Sequence, residues 1–354
     1  MLIVDKNIVY KPSGCFTFSV LIPCFNSESF IDQCLESVRS QTYQFWEVVV
    51  VDDGSTDNTA KHLRAVEEQL GSKMKVISQK NSGQLISRQA ALASASGDYA
   101  IFLDADDMLR VDALEILSEA LSSEPDALVQ FKHSRVPSFD GEFFPSYPVE
   151  GTLPKVIDAS LYRRWICSGS EFNPLWGKAI PMSAAVRDDD YREYSQVRNG
   201  EDLLQLVGIL DRVEKVLLLD EPLYYYRVNP EGMASVFQPR FFDSVKSANK
   251  VLLEHIIAWN DEECYSLFWK RWLGAVYSSI IQMSRSKYST SKMMDEFRRI
   301  ASDEMFQKAW SESAGVGDKR DLFLKALVKG RYFLLSMMVR LLGAAKCIVG
   351  YLRR

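Results

Sequence analysis

Between Phe16 and Phe131 five short apolar runs, FSVLI, WEVVVV, MKVIS, YAIFL and ALVQF, alternate with longer stretches whose apolar residues recur every three or four positions. The short runs read as strands, and the longer ones predict helices over Glu28–Ser40, Asn58–Leu70, Gln84–Ala95 and Val111–Ser122. Strands linked through helices are parallel, because a parallel neighbour can only be reached by a crossover. The rhythm predicts an α/β fold with a doubly wound, mostly parallel sheet. Such sheets bind ligands at the carboxyl ends of their strands, where strand order reverses.

Further along, Pro137 to Pro154 is rich in Pro, Gly, Ser and aromatics and reads as an irregular crossing segment. A helix over Gly200–Leu210 follows, then an apolar strand over Val213–Leu219 and an aromatic run over Leu223–Val228 that can extend the same sheet. After Pro239 the pattern is wholly helical. The expected division is an α/β domain over 1–238 and a helical C-terminal region over 239–354. Its last segment has no acidic residue beyond Asp321 but carries Lys325, Lys329, Arg331, Arg340, Lys346, Arg353 and Arg354. Ser336, Arg340, Gly343, Lys346 or Cys347, and Gly350 fall along one helical stripe. The longest uncharged run, Tyr332–Val339, is far short of the ~20 residues a spanning helix needs. The segment reads as a basic amphipathic helix lying on an anionic membrane; the alternative is a helix docked on the protein's own core.

A net charge of -5 supplies no basic field, which excludes nucleic acid as a partner. The six scattered cysteines lack a CxxC pair and read as reduced, cytosolic thiols. The N-terminal stretch is interrupted by Asp5, Lys6 and Pro12, so no signal peptide is expected. With three histidines in the chain, carboxylates must carry the chemistry.

Three acidic clusters qualify. WEVVVV delivers Asp52 and Asp53 into DDGSTDNT, where Asp-Gly is an ordinary turn signal but two acids at a strand's carboxyl end can also accept hydrogen bonds from a base edge or ribose. YAIFLDADDML places Asp104, Asp106 and Asp107 just after an apolar strand. Carboxylates so close repel unless a cation sits among them, and hard cations such as Mg²⁺ or Mn²⁺ choose oxygen ligands. Asp106 is the expected metal ligand, while Asp107 is expected to cap the helix near Val111 or bond backbone in the turn. A Mg²⁺ held by one or two carboxylates usually completes its shell with phosphate oxygens, which points to a nucleotide ligand. No Walker A sequence and no GxGxxG follows the first strand, so neither kinase nor dehydrogenase is expected. The third pair, Glu201 and Asp202, opens a helix after Asn199 and Gly200. Helix-dipole stabilisation and a general base both fit acids there, and spacing does not decide between them.

The blocks FSVLIPCFNSESFIDQCLESVRSQ, VVVVDDGSTDNTA, NSGQLISRQAALASASGDYAIFLDADDML, NPLWGK, NGEDLLQL and LYYYRV resemble glycosyltransferase family 2, an inverting family with the GT-A fold. The resemblance covers roughly Phe16 to Phe237 and makes 1–238 a GT-A nucleotide-sugar-binding and catalytic domain. It implies that Pro23 and Asn26 border the nucleotide, that Asp53 accepts from the uracil edge, and that Asn81 and Arg88 line the nucleotide side of the cleft. Asp104 would face the ribose and Asp106 would hold Mn²⁺ or Mg²⁺ on the diphosphate. Asp202 would be the base, with Glu201 and Trp176 shaping the sugar and acceptor pocket, Arg227 reaching towards the diphosphate and Lys178 further off. Two positions depart from the family pattern: Ser87-Arg88-Gln89 stands where Ala-Arg-Asn is frequent, and Asn229 stands where many members carry a histidine. The implied activity moves a sugar from a nucleoside-diphosphate donor, UDP-linked, to a hydroxyl of a glycan or lipid-linked acceptor in bacterial surface polysaccharide synthesis. The implied place is the cytoplasm, peripheral on the inner membrane. Rival readings are a sugar nucleotidyltransferase, against which the absence of a glycine-rich phosphate loop at PCFNSES speaks, and a non-catalytic carbohydrate-binding protein.

Overall fold

The computed structural model describes residues 14–185, 190–229, 232, 236–313 and 315–352, with side chains in the last helix described as far as Ala344. Arg353 and Arg354, and the side chains of Lys346, Cys347 and Gly350, lie outside the described residues. In chain order the elements begin β1 (Phe18–Cys24), α1 (Ile31–Arg39), β2 (Trp46–Asp52), α2 (Thr59–Leu70), β3 (Met74–Ser78), α3 (Gln84–Ser94), β4 (Tyr99–Phe102) and β5 (Met108–Leu109). They continue with α4 (Ala113–Leu121), β6 (Leu128–Ser134), β7 (Phe143–Phe144), β8 (Lys155–Asp158), α5 (Ala159–Ser168), β9 (Lys178–Pro181), α6 (Glu201–Leu210) and β10 (Lys215–Tyr225). The remainder is helical: α7 (Phe241–Trp259), α8 (Glu262–Gln282), α9 (Thr290–Ala301), α10 (Glu304–Ser313), α11 (Asp321–Val328) and α12 (Tyr332–Leu352).

The chain divides into two compact units. One is built from the described residues of Met1–Ala159, Leu175–Ser195 and Gly208–Arg227, the other from those of Ser160–Pro174, Gln196–Val207 and Val228–Arg354.

In the first unit the sheet runs β3-β2-β1-β4-β9-β6-β10-β5, with β7 on β6 and β8 on β10. The stretch β3-β2-β1-β4 is parallel, as the helix-linked rhythm requires. β9 lies between β4 and β6, antiparallel to both, while β6 and β10 are again parallel. All seven residues of β1 are buried, which is why its sequence shows no polar alternation. α1 turns Ile31, Cys34, Leu35 and Val38 into that core, and α4 adds Leu114, Leu117 and Leu121. Each such side chain contributes roughly 1.5–3 kcal/mol on burial. The two runs read as separate strands before and after Pro222 form one strand, β10, whose register against β6 slips between Leu218 and Pro222 and again before Tyr224. Proline lacks the amide that a regular ladder needs, so it sits at the irregularity.

The second unit fixes its helix ends with side chains. Asp261 caps α8 by accepting from the amides of Glu263 and Cys264, and Asp303 caps α10 by accepting from the amide of Phe306. Buried Arg271 donates to the carbonyls of Ile166 and Gly169 at the end of α5, where the helix dipole favours a cation. Cys15, Cys24, Cys34, Cys167 and Cys264 are free thiols. Among the described residues no helix is long and apolar enough to cross a membrane.

Candidate active site

The carboxyl ends of β1, β2 and β4 carry the polar residues singled out in the sequence. β2 ends on Asp52, whose Oδ1 accepts from the amide of Ser55 at 2.9 Å and closes the Asp-Gly turn. Gly54 in that turn has φ +77, and a Cβ there would stand 3.0 Å from the amide nitrogen of Asn81. Glycine is therefore required on two counts, a left-handed backbone and a close approach to the loop after β3.

Asp53 ties the same loop down. It is 4% exposed, and its carboxylate accepts from Gln79 Nε2 at 2.7 Å and from the amides of Ser82 and Gly83, each at 2.8 Å. A carboxylate offers about four acceptor positions, so three are spent within the protein. Asp53 thereby sets where α3 begins, and α3 carries Arg88. Asn26, exposed with φ 49, joins the loop after β1 to the same turn: its Oδ1 accepts from the amide of Thr56 at 2.8 Å, and its amide donates to Ser55 Oγ at 2.9 Å. Pro23 is buried in β1 opposite Val51, and Asn81 is exposed.

Arg88 is 1% exposed. Its guanidinium lies 3.2 Å from Asp104 Oδ1 and over the ring of Phe102. Asp104 Oδ1 also accepts from Gln84 Nε2 at 3.0 Å, so α3 holds the first aspartate of the DADD turn from two consecutive turns of helix. Asp104 and Asp106 are partly exposed while Asp107 is 1% exposed.

Asp107 does not cap the helix near Val111; Asp112 stands at the start of α4. Instead Asp107 accepts from the Tyr224 hydroxyl at 2.6 Å and from the amide of Arg227 at 2.7 Å. Burial, and then the negative fields of Asp104 and Asp106, push its carboxyl from 3.8 up to about 8. Tyr224 Oη in turn accepts from the amide of Asp104 at 3.2 Å. Arg227 donates through Nε to the carbonyl of Asp106 at 2.6 Å and through Nη2 to Gln33 at 2.8 Å, and its guanidinium covers the rings of Phe30 and Tyr225. The structure thus brings Arg227 directly to the DADD turn.

Trp176 stacks on both Tyr224 and Tyr226, with ring centroids 5.1 Å apart in each case, and meets His133 edge-on at 4.8 Å. Burial, with Arg135 nearby, lowers His133 to about 4, so the ring is neutral at physiological pH. Lys178, at the start of β9, is 1% exposed. Sequence reasoning missed Gln79, Gln84, Gln33 and the hydroxyl of Tyr224, because single polar residues at element ends carry no periodic signal.

Glu201 and Asp202 belong to the second unit, where they open α6 and are both half-buried. Gly200 before them has φ +93, and a Cβ on it would stand 2.8 Å from Cβ of Ala248 in α7.

Among the described residues no three His, Cys, Asp or Glu side chains form a ready-made metal cage. The donor set at Asp106 nevertheless suits a hard divalent ion: its carboxylate is partly exposed, and the field it shares with Asp104 already distorts Asp107. Asp107 itself is committed to Tyr224 and Arg227 and is not a ligand in this arrangement.

The model for "Glycosyl transferase family 2" matches residues 19–176. A glycosyltransferase of Haemophilus influenzae is 37% identical over 252 residues, which are 69% of this chain and 74% of that protein. Glycosyltransferase GlyA of Streptococcus pneumoniae is 27% identical over 237 residues, 65% of this chain and 33% of its own length. The poly(ribitol-phosphate) beta-N-acetylglucosaminyltransferase TarS of Staphylococcus aureus is 26% identical over 217 residues, 61% of this chain and 36% of TarS. The chain thus spans about a third of the length of these last two relatives. The crystal structure of S. aureus TarS 1-349 in complex with UDP-GlcNAc superposes with a TM-score of 0.66 at 22% identity, covering 92% of this chain and 90% of that one. This likeness establishes the GT-A-type fold.

Proposed function

The chain belongs to glycosyltransferase family 2, and from that premise we propose that it transfers a sugar from a UDP-sugar to a hydroxyl of a glycan or lipid-linked acceptor, with inversion, in the synthesis of a cell-surface polymer. The observation that carries the reading is the fastening of two aspartate turns to one helix: Asp53 holds the start of α3, and Arg88 and Gln84 on α3 hold Asp104. Support for the donor comes from TarS, whose fold this chain shares and whose crystal structure contains UDP-GlcNAc.

In this reading Asp104, Arg88, Asp53, Asn81, Asn26 and Pro23 form the nucleotide side, and Trp176 and Lys178 belong to the sugar and acceptor side. Asp106 would hold Mn²⁺ or Mg²⁺, which when bound neutralises charge on a departing diphosphate. Arg227 adds positive charge beside Asp106. The family resemblance gives Asp202 the proton of the acceptor hydroxyl, with Glu201 beside it. The acceptor oxygen bonds to the anomeric carbon as the bond from that carbon to the diphosphate breaks, and the nucleoside diphosphate leaves. The same reading attaches the enzyme peripherally to the cytoplasmic face of a membrane.

A panel of nucleotide sugars, assayed for donor hydrolysis with Mn²⁺ or Mg²⁺, tests the proposal. Release of UDP from one donor is expected. Release of pyrophosphate from a nucleoside triphosphate and a sugar 1-phosphate, with no turnover of the nucleotide sugars, would make the chain a nucleotidyltransferase, and no turnover of any donor or acceptor pair would sink the catalytic reading.

A further inference from the structure

We propose that the α11–α12 helix pair is the membrane-binding face of this protein, seated on anionic lipid headgroups by an apolar stripe edged with lysine and arginine. The inference rests on the membrane attachment proposed above and gives it a surface.

α12 docks one side on the protein and leaves a second, apolar side uncovered. Its buried side presents Leu335, Ser336 and Val339, each 0% exposed. Ser336 satisfies its hydroxyl on the carbonyl of Tyr332 at 2.8 Å, and Arg340 donates to the carbonyl of Tyr288 at 2.9 Å. A Cβ on Gly343 would stand 3.0 Å from the carbonyl oxygen of Ser284. The described part of the small and polar stripe read from the sequence, Ser336 to Gly343, therefore lies against the protein.

A second apolar side is left outside: Phe333 63%, Leu334 48%, Met337 43% and Leu341 66% exposed. Spaced by one, four and eight positions from Phe333, they fall within an arc of about 100° on a helix. α11 adds Leu322, 64% exposed, and Val328, 44% exposed. Leaving such a stripe in water gives up several kcal/mol of burial, on the order of 1–2 per side chain, unless something covers it.

Charge identifies what covers it. Lys325 on α11, and Lys329 and Arg331 in the link to α12, are all exposed, and the sequence from Leu322 onward contains no acidic residue. Two copies of such a face would bring like charges together, whereas an anionic lipid surface attracts each cation. Cationic rims around an apolar stripe, on helices too polar to span, are the composition of an interfacial helix.

The test is co-sedimentation of the full chain with vesicles of equimolar phosphatidylcholine and phosphatidylglycerol, against vesicles of phosphatidylcholine alone. Binding to the anionic vesicles only is expected. Phe333→Ser with Leu341→Ser, and separately Lys325→Glu with Lys329→Glu, should each lower the bound fraction roughly tenfold or more. Both variants should keep the parent's circular dichroism and donor hydrolysis. If the parent binds neither vesicle, membrane attachment and this surface both fall. If it binds and both variants bind equally well, attachment stands and this face is wrong. A lipid-free dimer in sedimentation velocity that Phe333→Ser with Leu341→Ser dissolves would assign the stripe to a second copy and overturn the proposal. None of these outcomes touches glycosyl transfer, which donor hydrolysis reads separately.

Discussion

Asp107 holds the hydroxyl of Tyr224 and the amide of Arg227, so one buried carboxylate fastens the end of β10 to the turn that follows β4. Removing it strands the buried hydroxyl of Tyr224 and the half-buried amide of Arg227, each costing about 1–3 kcal/mol, so Asp107→Ala should lose roughly 2–4 kcal/mol in urea unfolding. It should also lower kcat, because Arg227 loses its backbone anchor beside Asp106. The pH dependence has a definite sign. The folded carboxyl titrates near 8 and the unfolded one near 3.8, so folding retains a proton that the unfolded chain releases between those values. The stability that this proton brings is present at low pH and declines as pH rises through that window. The unfolding free energy of the parent from urea titration, compared with that of Asp107→Asn, should therefore fall relative to the variant between pH 5 and pH 8, by a few kcal/mol at most. A constant difference would show that the carboxyl is not displaced. The role of Asp107 was illegible in DADD because its partners lie 117 and 120 positions further along. Local spacing distinguishes a metal ligand from a clamp only when the partners are local.

At the scale of elements, legibility followed burial and length. The strands β1, β2 and β4 read correctly because parallel strands covered on both faces leave continuous apolar runs. β9 is four residues, KAIP, and β5 and β7 are two each, too short for any periodicity. The fused β10 was hidden by Pro222, which reads as a break but sits at a register slip. Two predictions belong here. Asp53→Ala removes three hydrogen bonds that set the start of α3, so it should cost more than 2 kcal/mol and weaken donor affinity through displaced Arg88 and Gln84. Equilibrium unfolding and donor titration on the same variant check both parts. Gly200→Ala adds a methyl group 2.8 Å from Ala248 on a backbone with φ +93, so α6 must shift at the turn that bears Glu201 and Asp202. About 1–3 kcal/mol of strain is expected. If Asp202 is the base, steady-state kinetics should show kcat falling at least tenfold while donor affinity, measured by titration, stays near the parent's; an unchanged kcat would remove α6 from the chemistry.

For the molecule as a whole, two interleaved units share one chain, and the nucleotide-side residues Pro23, Asn26, Asp53, Asn81, Arg88, Asp104 and Asp106 all fall in the first. A ligand that binds only the folded form of that unit stabilises it by mass action, by about 2.7 kcal/mol at a hundredfold excess over Kd. UDP with Mn²⁺ should therefore raise the melting temperature of the transition that includes the sheet, and UDP alone should raise it less. The difference between the two isolates the divalent ion from the nucleotide contacts. Asp106→Asn keeps the side chain's shape and its carbonyl bond to Arg227 but removes the charged oxygen ligand, so it should abolish the added shift with Mn²⁺ while sparing the shift with UDP alone. Asp202→Asn, in the second unit, should leave both shifts intact and eliminate transfer. If Asp106→Asn retains the full manganese increment in differential scanning calorimetry, the ion is bound elsewhere and the assignment of the DADD turn to the diphosphate fails with it.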